Sequence, residues 1–231
     1  MLASSGPFTD KIEPMEPSSV RPDVDKAREL MQALATAIDR APNLEASNRA
    51  FARRLVTALG VAQLSPNAAA DDTDQPTVQC WRRIMDQSSD PGPLLQAVQD
   101  LGPIRRWIRA VDFYPEPEHR YFSEHVWGAL IAGERDAFFD TNERFIALLI
   151  VIEPHTHYPL HAHRIEELYF TISGQAEWSH DGKHWEAVPP GSVFHNASWQ
   201  PHTMRTGDEP LLAMGLYLPP FGWEGGLVGP S

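Results

Sequence analysis

Apolar positions change their rhythm once along this chain, and that change divides it. Val24, Ala27, Met31, Leu34 and Ile38 recur at three- and four-residue spacing, with Pro22 and Asp23 before them and Pro42 after, predicting a first helix. A second is predicted from Leu44 to Leu59, closed by Gly60, with Phe51, Leu55 and Leu59 on one stripe. Two shorter helices fit Thr77 to Gln87 and Pro93 to Asp100, after a stretch at 65–76 with no periodic apolar signal that reads as a linker. From about Arg106 the texture turns to short β-like runs at 121–131, 144–153, 166–173, 175–179, 184–188, 192–196, 202–206 and 211–218. Ser173-Gly174, Asp181-Gly182, Pro189-Pro190-Gly191 and Gly207-Asp208 punctuate them as turns. Evenly spaced short strands with Gly/Pro turns predict a sandwich or barrel. The expected organisation is a disordered segment over 1–20, a helical region over 21–105 and a β-barrel over 106–231.

Composition narrows the function classes. The 231 residues suffice for one substantial domain with a helical appendage, and 21 prolines with 15 glycines suit a turn-rich β protein. A formal charge of -12 without a Lys/Arg block argues against nucleic acid and anionic membranes as partners. Cys80 is the single cysteine, so thiolate metal sites and intramolecular disulfides are excluded. The segment Met1 to Ser19 has neither the basic nor the apolar region of a secretory signal, and Phe145 to Ile152 is too short an apolar run to span a bilayer. A cytoplasmic protein is expected.

The chemistry concentrates in His161-Ala-His163-Arg-Ile-Glu166-Glu167-Leu-Tyr169. On an extended strand, residues 161, 163, 167 and 169 would share one face and present two imidazoles, a carboxylate and a phenol. Imidazole and carboxylate together suit a divalent transition metal. The phenol suggests an acid or base beside it. His155 and His157 stand at the same phase, but Pro154 and Pro159 flank them and no carboxylate follows at the matching offset, so a loop or site rim is expected there. His195 is open to either a pocket or a hairpin position, while His180 and His184 flank a turn and are expected at the surface.

His161, His163, Glu167 and Gly174 match the spacing of the first cupin motif, and Pro190, Gly191 and His202 match the second, with Thr206 where that motif usually has Asn. The resemblance implies a mainly β fold, the cupin double-stranded β-helix (jelly-roll) barrel, holding one divalent metal through His161, His163, Glu167 and His202. Zn, Fe, Mn, Co and Ni all suit such ligands. Whether His161 is a ligand or a base outside the coordination sphere stays open.

Cupins host many reactions, so fold alone decides nothing. The run from Tyr158 to Tyr169 resembles the cupin-type dimethylsulfoniopropionate (DMSP) lyases of the DddL/DddQ group. The resemblance implies a β-elimination that releases dimethyl sulfide and acrylate, with Tyr169 as base and Tyr158 and His161 beside it. A phenol with an ordinary pKa near 10 needs help to be a base, and roughly 1.4 kcal/mol of preferential phenolate stabilisation goes with each unit of depression. A neighbouring metal supplies such help. The substrate would be a small cationic sulfonium carboxylate. Its cation suits aromatic faces, and Trp178, Tyr158, Tyr217 and Phe194 are the candidates, with Trp185 weaker. Rival expectations are an Fe(II) cupin dioxygenase, which would not need Tyr169, and a non-enzymatic small-molecule-binding cupin, which would tolerate its loss. Homo-oligomerisation is left open by the sequence.

Overall fold

The computed structural model describes residues 23–61, 63–66, 78–86, 92–102, 107–112, 114–133, 137–222 and 224–228. The expected disorder over 1–20, most of the 65–76 linker and the residues just before 107 lie outside these. Four helices come first: α1 (Val24–Asp39), α2 (Ala46–Gly60), α3 (Val78–Asp86) and α4 (Gly92–Asp100). Asp23 caps α1 by accepting from the backbone N–H groups of Asp25 and Lys26, and Glu45 caps α2 in a reciprocal box with Asn48. Of the apolar stripes read from the sequence, Ala27, Met31, Leu34, Ile38, Phe51, Leu55 and Leu59 are buried and Val24 is half-buried.

The strands are β1 (Ser65–Pro66), β2 (Ile108–Arg109), β3 (Val126–Gly133), β4 (Phe139–Asp140), β5 (Ile146–Ile152), β6 (His157–His163), β7 (Glu167–Ser173), β8 (Ala176–Ser179), β9 (Glu186–Val188), β10 (Val193–Asn196), β11 (His202–Thr206), β12 (Leu211–Tyr217) and β13 (Gly225–Leu227). They form an eight-stranded sheet, β1-β4-β3-β5-β12-β7-β10 with β2 on β3, and a five-stranded sheet, β13-β6-β11-β8-β9. All strand pairs are antiparallel except β3 with β4. This is the expected mainly β cupin architecture with helices before it.

The continuous apolar run of β5 follows from burial on both faces. Ala147, Leu149 and Val151 share one core with Leu30, Leu34 and Leu55 of the helices. Ile150 and Ile152 join a second core inside the barrel, with Tyr169, Trp178 and Phe194. On β7 and β12 the alternation is the same: Leu168, Phe170, Leu212 and Met214 face the helices. The helical region therefore roofs the outer face of the larger sheet. Asn43, in the α1–α2 connection, closes the sheet's β10 edge with two bonds: its Nδ2 donates to Val193 O at 2.7 Å and its Oδ1 accepts from Val193 N at 3.0 Å.

Three expectations need correction. The run at 121–131 begins as a short helix, α5 (Arg120–Ser123), and its strand starts only at Val126. Residues 161–169 are not one strand: β6 ends at His163 and β7 begins at Glu167, in the other sheet. Pro159 did not keep His157 out of β6 either. Against β11, His161 pairs with His202 and Tyr158 with Met204, so β6 spends one more residue than its partner between these points. That bulge is where a proline without an N–H is tolerated. It also reverses the phase, so Tyr158 joins the barrel interior while His157 faces outward to Thr203, at 3.0 Å.

Gly174 turns between β7 and β8 with a φ of 83°, and a Cβ there would run into the Pro210 carbonyl. Gly174→Ala is expected to cost about 2–4 kcal/mol, combining an unfavourable backbone region with a clash against main chain. Urea unfolding measures it; a loss below about 0.5 kcal/mol would contradict this packing.

Candidate metal centre

Three imidazoles converge inside the barrel from the smaller sheet. His161 and His163 sit two apart on β6, and His202 lies across from His161 on β11. Their ligand nitrogens lie within 4.8 Å of one another. Glu167 reaches the same point from β7 of the larger sheet, its Oε2 at 3.3 Å from His163 Nε2 and 3.4 Å from His202 Nε2. The short turn at 164–166 carries the chain between sheets, so the motif is assembled across the barrel.

Each imidazole is oriented through its other nitrogen. Nδ1 of His161, His163 and His202 lies at 2.9, 2.8 and 2.9 Å from the carbonyls of Pro159, Ile165 and Gln200. A carbonyl only accepts, so each Nδ1 carries the proton and leaves the Nε2 lone pair free. His202 Nε2 is buried and has no hydrogen-bond partner among the described residues. Four ligands about 2.0–2.1 Å from an ion stand about 3.3–3.4 Å apart at the corners of a tetrahedron. The Glu167–imidazole separations match that edge, and an otherwise orphaned nitrogen gains a partner. The donor set fits a divalent metal.

Glu167 is wholly buried and held at both oxygens. Tyr217 Oη donates to Oε1 at 2.5 Å, and Asn196 Nδ2 donates to Oε2 at 3.0 Å. Burial alone would raise its pKa, but the hydrogen bond with His163 and the nearby His202, His163 and Tyr217 outweigh it and hold the carboxyl at about 2. Burial depresses His161 to about 3, and the neighbouring His202 adds to this. Burial also lowers His202. At His163 burial is opposed and outweighed by Glu167, so that imidazole is raised. A metal ion requires all three imidazoles neutral, so its binding would displace the proton that Glu167 favours on His163.

Tyr169 is buried beside this cluster, its ring 4.6 Å from that of Trp178, which lies 4.9 Å from Phe194. Burial first, then the charge of Glu167, pushes the Tyr169 phenol well above its ordinary value. Trp178 is completely covered, and its Nε1–H has no acceptor among the described residues. Tyr158 sets its ring edge against His161 at 4.5 Å. Tyr217, expected as a substrate contact, has its hydroxyl turned to Glu167.

The sequence reading missed Asn196, Tyr114 and Phe122. Asn196 shares the phase of Phe194 on β10, and that alternation was available to find it. Tyr114 stands 3.5 Å from the Tyr158 hydroxyl and Phe122 packs 5.1 Å from its ring; Tyr114 lies between short elements and Phe122 on α5, where the sequence reading expected a strand. The other histidines lie outside the cluster. His195 pairs with Glu166 at 2.9 Å and packs on Phe51 of α2, His155 is exposed near Asp208, and Trp185 lies outside between His157 and Arg205. His184 is at the surface as expected, whereas His180 is half-buried and stacked on Phe194.

A family model described as DMSP lyase matches residues 46–213. The curated relative dimethylsulfoniopropionate lyase DddQ of Ruegeria pomeroyi is 31% identical over 87 residues, which is 38% of this chain and 42% of the relative. That alignment therefore spans less than half of the relative's length. The crystal structure of DMSP lyase DddQ from Ruegeria pomeroyi superposes with a TM-score of 0.65 at 20% identity, over 90% of this chain and 98% of that one. A structure described with the DMSP lyases RdDddP and RnDddQII gives 0.60 at 19% identity, over 89% and 98%. At these identities the superpositions bear on the fold. Among the described residues no helix is long and apolar enough to cross a membrane.

The depressed histidines make a pH prediction for the metal-free protein. Below an unfolded value of about 6.5, the unfolded chain takes up protons that folded His161, His202 and His157 refuse. Raised His163 contributes its full share throughout that window, and Glu167 adds a further loss as pH falls from 4.5 toward about 2. Stability in chelator should thus fall from pH 6.5 downward by on the order of 1 kcal/mol per pH unit, a Tm drop of roughly 2–4 °C per unit. Thermal melts between about pH 6.5 and 4 test this; a flat or rising Tm would contradict neutral burial of His161 and His202.

Proposed function

The chain belongs to the dimethylsulfoniopropionate lyase family, and on that premise we propose that it cleaves DMSP by β-elimination to dimethyl sulfide and acrylate. The observation that carries this reading is the family match over residues 46–213, together with a buried metal-ligand cluster that has a tyrosine beside it. His161, His163, His202 and Glu167 are the ligands in this reading, which makes His161 a ligand rather than a base. Zn, Fe, Mn, Co or Ni would each suit them. A bound divalent ion would anchor the substrate carboxylate and withdraw charge from it, favouring loss of the adjacent proton.

Tyr169 removes the proton on the carbon next to the carboxylate. The C–H electrons form the new double bond, the C–S bond breaks, and both its electrons leave on sulfur. The products are acrylate and neutral dimethyl sulfide, with the proton on Tyr169 Oη. The chain's own field opposes this role, since burial and Glu167 both favour the protonated phenol. Positive charge at the ligand cluster, reinforced by the sulfonium, is therefore needed for Tyr169 to act as base.

Tyr158 sits on the His161 side of the interior, backed by Phe122 and Tyr114, while Trp178 and Phe194 line the Tyr169 side. These faces suit a sulfonium, which offers no hydrogen-bond donor, at about 0.5–2 kcal/mol per good contact. Tyr217 serves Glu167. The single buried Cys80 suits a reducing compartment such as the cytoplasm.

Headspace analysis for dimethyl sulfide, on purified protein given DMSP, tests the reading. Tyr169→Phe should lower release by about 100-fold or more while metal content is kept, the size expected for loss of a general base. His163→Ala or His202→Ala should lose both metal and activity. Full activity in Tyr169→Phe would remove Tyr169 as base, and no release by the wild type with any of the five metals would overturn the lyase reading.

A further inference from the structure

Asn196 holds Glu167, but a side-chain amide can present either end, and something must decide which. If the oxygen faced Glu167, it would meet a carboxylate at hydrogen-bond distance. The deciding contact comes from His180. Its Nε2 lies 3.2 Å from Asn196 Oδ1 and 3.1 Å from the His195 carbonyl. Two acceptors at one ring nitrogen require that nitrogen to carry a proton. With Oδ1 committed to that N–H, Nδ2 must turn to Glu167 Oε2, where it donates at 3.0 Å. A flipped amide would face both neighbours with like against like.

His180 is itself fixed. It follows the end of β8, in a turn tied by Ser179 Oγ, which accepts from Gly182 N at 2.9 Å. Asp181 Oδ1 accepts from the backbone N–H groups of Lys183 and His184, each at 2.8 Å. The imidazole lies flat on Phe194, with ring centres 4.5 Å apart and planes 25° from parallel. A turn often left to vary is here locked around one half-buried donor. The oxygen it controls also matters: Oε2, not Oε1, is the Glu167 atom close to His163 and His202, while Oε1 is taken by Tyr217.

We propose that His180 is a positioning residue of the metal centre: its Nε2–H orients the Asn196 amide, which holds Glu167 with Oε2 toward the Nε2 atoms of His163 and His202. The inference rests on the metal-centre reading above. Partners one step beyond the ligands set ligand direction and typically change metal affinity by about 10–100-fold. The residue touches neither metal nor substrate.

Titration of Co(II) into metal-free, full-length protein, followed by its d–d absorption, separates the roles of the ring. His180→Phe keeps a ring for Phe194 and removes the donor; it should weaken Co(II) binding about 10-fold or more and alter the d–d envelope. His180→Ala carries the same expectation if the Phe variant does not fold. His180→Gln abandons the stack but keeps an N–H near the same position, and should bind within about threefold of wild type. Melting temperatures in chelator should stay close together across the set. Wild-type affinity in His180→Phe, or a loss in His180→Gln as large as in His180→Phe, overturns the proposal and leaves the metal centre standing. Failure of the wild type to bind Co(II) would remove the metal-centre reading, and this inference with it.

Discussion

One buried carboxylate set against three clustered imidazoles is the constraint on which the rest of the structure depends. Glu167 is wholly covered, and a lone carboxylate there would be costly without compensation. The protein spends an amide from β10 and a phenol from β12 on holding it, and turns two Nε2 atoms toward one of its oxygens. The imidazoles in turn have their Nδ1 protons tied to main chain, which aims each Nε2 into the cluster, and burial keeps His161 and His202 from taking a second proton. A divalent ion would add positive charge at this buried cluster, and in the proposed reading that charge is what lets an anionic substrate group and a buried phenol become useful in the same space.

The barrel's topology delivers those groups. Imidazoles from β6 and β11 face the Glu167 carboxylate from β7 because the short turn at 164–166 crosses between sheets. The bulge at Pro159 brings Tyr158 into phase with His161, so the aromatic and the ligand meet at 4.5 Å despite their odd spacing. The helices contribute from outside. They cover the far face of β5, β7 and β12, and Asn43 and Phe51 bear on β10, the strand that carries Asn196.

Much of this was legible in the sequence. Helix stripes such as Met31, Leu34 and Ile38, the turn at Gly174 and the pairing of His161 with His163 follow from local periodicity and spacing, whereas His202 joined them only through the resemblance to the cupin motifs. What escaped is non-local. A single strand over 161–169 and two strands in facing sheets give Glu167 similar proximity to the histidines, and alternation alone does not separate them. The inward phase of Tyr158 depends on a bulge set by pairing with β11, which a count along β6 misses. Tyr217 illustrates the same limit: its aromatic ring suggested a substrate wall, but register opposite Glu167 on β12 gives its hydroxyl another task. His180 read as a surface residue because its turn is polar, and only the return of β10 beneath it supplies the acceptors.

The central claim is that a transition metal sits among these side chains, held by imidazole nitrogen and carboxylate oxygen alone. X-ray absorption at the metal edge of the purified, catalytically active protein addresses it directly. The account predicts about one equivalent of metal, a first shell of nitrogen and oxygen at about 2.0–2.2 Å, and the outer-shell scattering of three imidazoles. A first shell containing sulfur, or scattering from fewer than three imidazoles, would contradict it.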